Sequence, residues 1–154
     1  MGGHSAGAYI ASMLALDPQY LADAGVDVSA IGGFIPVSGQ VMTHFTVAKE
    51  KGIKRPAIYA DAAAPIYHIQ KETPPILIII GGDDWPARLE ENRYFVAAMR
   101  KVAQNESISL VEVPERNHGG ILKEMASPDD PAAVASMHFM RTGELPADQL
   151  IKDY

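Results

Sequence analysis

The chain has 154 residues, 47% of them hydrophobic and 21% charged, a length and balance that suit one globular domain and exclude global disorder. A net charge of −6 supplies no basic field for phosphates, which argues against nucleic acid as a partner; the absence of cysteine excludes disulfides, a thiolate nucleophile and Cys-based metal centres. No apolar run approaches the ~20 residues of a membrane span and the N-terminus lacks the order of a signal peptide, so a cytoplasmic protein without a membrane partner is the default expectation.

The chain opens on Gly3-His4-Ser5-Ala6-Gly7, and apolar residues at Ile10, Met13 and Leu14 then predict a helix over 6–16. Asp17-Pro18 must interrupt it, leaving a second short helix that carries Tyr20 and Leu21. Ile31–Val37, bounded by glycines, reads as a short buried strand with Pro36 at its end, because proline has no N–H for a ladder. Val41, Phe45, Val47 and Ala48 suggest a helix that stops at Gly52, part of an excursion over one sheet edge between Gln40 and Gln70. Pro75–Ile80 holds five consecutive aliphatic residues, which predicts a strand buried on both faces and therefore helices on both sides. A helix over 86–102 follows, with Pro86 in its first turn and Asp83 or Asp84 as its cap. Ser107–Val113 alternates as a strand does, and Ala132–Met140 reads as the last helix. Strands and helices in regular alternation imply the α/β class: a short, mainly parallel sheet flanked by helices, in one domain spanning 1–154.

Gly-x-Ser-x-Gly followed at once by a helix pattern is the arrangement of a nucleophile on a sharp strand-to-helix turn. Small residues at Gly3 and Gly7 let the backbones pass closely, and the free amide of Ala6 would point at an oxyanion formed on a carbonyl attacked by Ser5. A serine hydroxyl needs a base, and the base needs a carboxylate to fix its tautomer. His118 lies in a loop after the strand Ile108–Val113, and Asp83 and Asp84 follow Ile76–Ile80 at the same sheet edge. Asp84 is preferred because Asp83 and the two glycines give the turn room to direct the next side chain toward His118, although adjacency leaves Asp83 open. The plainer readings are that Ser5 merely caps a helix and that His118 is a loop histidine bonded to carbonyls. His4, His44, His68 and His138 are assigned structural or surface roles, Met42 and Phe45 offer an acyl pocket, and no metal or cofactor is expected.

Together these stretches resemble the α/β-hydrolase carboxylesterases of the hormone-sensitive-lipase and kynurenine-formamidase-like branch. The resemblance rests on Gly3-His4-Ser5-Ala6-Gly7-Ala8, Leu16-Asp-Pro-Gln-Tyr-Leu21 leading to Ile31–Ser38, Ala64-Pro-Ile-Tyr-His68, Gly82-Asp-Asp-Trp-Pro86 and Arg116-Asn-His-Gly119, in that order. It implies Ser5 as nucleophile, His118 as general base and Asp84 as orienting acid, acting on esters of small acyl groups. The alternatives are an arylformamidase or amidase with the same triad and a non-catalytic, oligomeric relic. Members of the branch carry further strands and a His-Gly-Gly-Gly-like loop ahead of the elbow, whereas here only Met1-Gly2-Gly3 precede the His4-Ser5 pair, so the chain corresponds to the C-terminal half of such a fold. The expectation that follows is an exposed sheet edge near Ile31–Val37 and a homo-oligomer formed through it.

Overall fold

The computed structural model describes residues 1–54 and 58–147. Four strands, β1 (Gly2–His4), β2 (Ile35–Val37), β3 (Ile76–Asp83) and β4 (Ile108–Asn117), form one sheet in the order β1-β2-β3-β4, every pair parallel. The helices are α1 (Ala6–Leu16), α2 (Pro18–Asp23), α3 (Phe45–Glu50), α4 (Arg88–Lys101), α5 (His118–Glu124) and α6 (Pro131–Thr142). A strand apolar on both faces feeds two cores, and β3 does so by alternation. Ile76, Ile78 and Ile80 join Leu16, Phe34, Phe95 and Met99 on one face. Leu77 and Ile79 join Val111, Ile121 and Phe139 on the other.

Local chemistry explains where the strands depart from expectation. The second strand begins at Ile35 rather than Ile31, where Phe34 makes only an isolated bridge to Ile76. Pro36 sits in the middle of β2, opposite Gly3. Phe34 N–H donates to Pro75 C=O and Ser38 N–H to Ile79 C=O, but the bond between them is lost because proline has no proton to give. The helix expected from Pro86 starts at Arg88, behind Ala87 in the left-handed region (φ 66), and neither aspartate caps it. The helix expected from Val41 shortens to α3, capped by His44, whose Nδ1 accepts from Thr46 N–H.

The open edge is also not where the sequence placed it. Ile35 N–H donates to Met1 C=O at 2.8 Å and Ser5 N–H to Val37 C=O at 2.9 Å, so β1 covers the edge of β2. Since Met1 and Ser5 face β2, strand alternation turns the N–H and C=O groups of Gly2 and His4 outward, where no strand among the described residues meets them. A cavity of about 430 Å³ lies at this edge, lined by Met1, Gly2, Gly33, Ile35, Phe139 and Met140.

Candidate active site

In a parallel sheet all strands end on one side, and register decides which residues meet there. His4 pairs with Val37, so Ser5 and Ser38 leave the sheet side by side, both at positive φ (57 and 54). Between β3 and β4 the register slips: Gly81 pairs with Val113, but Asp83 pairs with Asn117, so β4 inserts two extra residues. The bulge requires glycine at 81, where a Cβ would lie 2.1 Å from Arg116 O. With Asp83 opposite Asn117, the next residue on each strand is Asp84 and His118.

The three predicted residues meet. His118 Nδ1 lies 2.8 Å from Asp84 Oδ1 and His118 Nε2 lies 2.9 Å from Ser5 Oγ. An ionised carboxylate only accepts, so Nδ1 carries the proton and the lone pair of Nε2 faces the serine hydroxyl. Asp84's side chain is fully buried and His118's nearly so. Asp84 Oδ1 also accepts from Trp85 N–H at 2.6 Å, while Oδ2 is buried with no partner among the described residues. Asp83 is exposed and takes no part in this chain.

Ser5 holds the N-cap position of α1 at φ 57, ψ −116, yet its side chain makes no capping bond. Its hydroxyl is turned to His118 instead, which excludes the simple cap. Such a backbone costs about 1–3 kcal/mol and persists only where neighbours enforce it. Gly3 is one enforcer, since a Cβ there would lie 2.6 Å from Gly7 C; at Gly7 itself a Cβ would meet nothing within 4 Å, so only the first glycine of the motif is sterically required. Ala6, the first residue of α1, leaves its N–H without a helical partner beside Ser5.

His118 does not lie in a loop but opens α5, because Asn117 caps that helix by accepting from Gly120 N–H at 2.8 Å and Ile121 anchors it in the core. Two neighbours that sequence reasoning left aside hold it. His4 Nε2–H donates to His118 C=O at 2.7 Å, and the Trp85 indole stacks on the His118 ring at 3.7 Å between centroids and 17° between planes. The pair at Trp85 is adjacent in sequence to Asp84, the one signal that pointed there.

Behind the triad, Arg88 Nε pairs with Glu91 Oε1 at 3.0 Å and Asn92 Nδ2 donates to Gly39 C=O at 2.9 Å, tying α4 to the segment after β2. Burial pushes the Glu91 carboxyl up to about 7, against the pull of Arg88 and the N–H groups of Met42 and Val41. Farther out, Lys51 and Thr43 hold the Asp61 carboxyl at about 2, well below the ordinary carboxylate range, and so fasten the excursion between β2 and β3. No cluster of three or more metal-ligating acids and histidines exists among the described residues, and no described helix is long and apolar enough to cross a membrane.

No protein-family profile matches the chain. By sequence it is similar to esterase LipC of Mycobacterium tuberculosis, 26% identical in an alignment 143 positions long that covers 77% of this chain and 34% of LipC. By structure it is similar to esterase 2 of Thermogutta terrifontis: the propionate-bound form superposes with a TM-score of 0.63 at 22% identity, over 96% of this chain and 57% of that one. The same esterase phosphoramylated by tabun gives a TM-score of 0.64 at 22% identity, over 96% and 56%. An esterase/lipase from an uncultured bacterium gives 0.60 at 24% identity, over 91% and 51%. The chain thus spans about a third of the curated relative and just over half of the solved ones, and it carries the α/β-hydrolase fold they share.

Proposed function

We propose that this chain, whose relatives are esterases, is the nucleophile-bearing part of a serine carboxylesterase that cleaves esters of small acyl groups. The observation that carries the reading is the unbroken line from Ser5 Oγ to His118 Nε2 and from His118 Nδ1 to Asp84. Ser5 Oγ attacks the ester carbonyl carbon while its proton passes to His118 Nε2, and the buried Asp84 carboxylate stabilises the imidazolium so formed. The tetrahedral oxygen takes the Ala6 N–H. As the intermediate collapses, Nε2 returns the proton to the departing alcohol and leaves an acyl group on Ser5. Water, deprotonated by the same nitrogen, then releases the acid. A small acyl group is favoured because the Thermogutta esterase has been solved with propionate and with butyrate bound.

Two experiments test this. A fluorophosphonate probe is expected to label Ser5, as tabun modifies the Thermogutta esterase. Ser5→Ala is expected to lower p-nitrophenyl butyrate hydrolysis by at least about 10³-fold with the fold unchanged; wild-type turnover in that variant overturns the assignment. The outward groups of Gly2 and His4 further support self-association, in which a second copy covers β1 and the apolar cavity beside it.

A further inference from the structure

Trp85 is the only tryptophan in the chain, and it lies almost parallel to the imidazole of His118. The residue as a whole is 48% exposed, so its stacking on His118 is made at the surface and not inside the core. An aromatic face attracts a neutral ring stacked on it and attracts the same ring more strongly once it is a cation. His118 alternates between those two states in each half of the reaction proposed above. We infer that Trp85 is a positioning residue for that reaction, its indole face stabilising the His118 imidazolium and keeping the ring aligned between Ser5 and Asp84.

The inference rests on the esterase reading for its use, but the stacking has consequences without turnover. The charged and titratable groups around the ring are few. Asp84 faces Nδ1 from the turn after β3, Ser5 faces Nε2, and His4 approaches from β1 with its ring 4.8 Å away and tilted by 44°. From α4, the Arg88 guanidinium sits over the same indole at 5.7 Å, with Glu91 as its counter-ion. Arg88 already polarises the same indole and opposes a second positive charge beside it, so the gain at His118 falls at the modest end of cation–π effects.

The test compares wild type, Trp85→Phe and Trp85→Leu. Histidine ring nitrogens followed by NMR from about pH 4 to 10 give the His118 midpoint directly, and kcat/KM for p-nitrophenyl acetate gives it from the acidic limb. The midpoint is expected to fall by roughly half a pH unit in Trp85→Leu and by less in Trp85→Phe, which keeps a weaker aromatic face. Midpoints that agree within about 0.1 unit overturn the inference, even if turnover drops, because a packing role lowers turnover equally at every pH. Should Trp85→Leu lose its folded circular-dichroism signature, Trp85→Phe decides alone by the same criterion. In the wild type, the emission of Trp85 is expected to fall as His118 protonates, since an imidazolium quenches an excited indole better than imidazole does. His118→Gln is expected to abolish that step, and a step that survives unchanged overturns the contact. A chain whose Ser5 takes no fluorophosphonate label but whose NMR midpoint still moves refutes the esterase reading and leaves the stacking standing.

Discussion

The two halves of the candidate site are built to different standards. His118 and Asp84 stand at the ends of β4 and β3, strands of ten and eight residues paired along most of their length and buried as far as Val113, the half-buried Glu112 apart, and Gly81. Ser5 stands at the end of a three-residue strand of Gly-Gly-His whose one ladder partner among the described residues, β2, is itself three residues long and interrupted by proline. The acid–base pair is therefore positioned by the core, whereas the nucleophile is positioned by a few backbone bonds and one tight glycine contact. Precision in the first half comes from side-chain burial and in the second from backbone geometry, so the two should fail differently.

The largest expected effect probes the acid–base half. Asp84→Asn is expected to lower kcat by about 10³-fold or more, because an amide cannot hold the required tautomer, while Asp83→Asn changes it only a few-fold. Comparable losses in the two variants would mean that the slipped register is not what selects the acid. Next comes the glycine contrast. Gly81→Ala forces a Cβ against Arg116 O and is expected to cost about 3 kcal/mol, roughly 10 °C in Tm by calorimetry. Gly7→Ala meets open space in a helix and is expected to leave Tm unchanged or raise it by a few degrees. The smallest effect concerns the open edge. Sedimentation equilibrium is expected to return a dimer at micromolar concentration, and Met140→Lys, at an exposed position of the edge cavity, to weaken it about tenfold with the triad untouched. A monomer in the wild type removes self-association and leaves the edge to some other partner.

How much of this the sequence disclosed follows the same division. β3 is legible because an all-aliphatic run admits few alternatives, and the α/β alternation follows once it is placed. β1 is not legible: Gly2-Gly3-His4 has no side-chain pattern, and its strand character exists only through pairing with residues more than thirty positions later. Ser5 and His118 were readable from composition and motif, and Asp84 from its place after a strand. What separates Asp84 from Asp83 is the two-residue slip in β4, a backbone feature that Pro114-Glu-Arg-Asn117 does not announce by periodicity. His4 and Trp85 escaped for a related reason. Their contacts with His118 span 114 and 33 positions, and only the meeting of strand ends creates them.

The slip in β4 also bears on how such a protein changes over generations. Below it, the sheet keeps one register that satisfies the cores; above it, a different register brings Asp84 to His118. The spacing of the reactive groups is thus written into the backbone at Gly81 and the two inserted residues, and not into the identities of the aliphatic side chains beneath. Core residues are free to drift among Val, Ile and Leu as long as volume is kept, without dragging the reactive atoms along. A lineage built this way can exchange most of its interior while its reactive centre stands still.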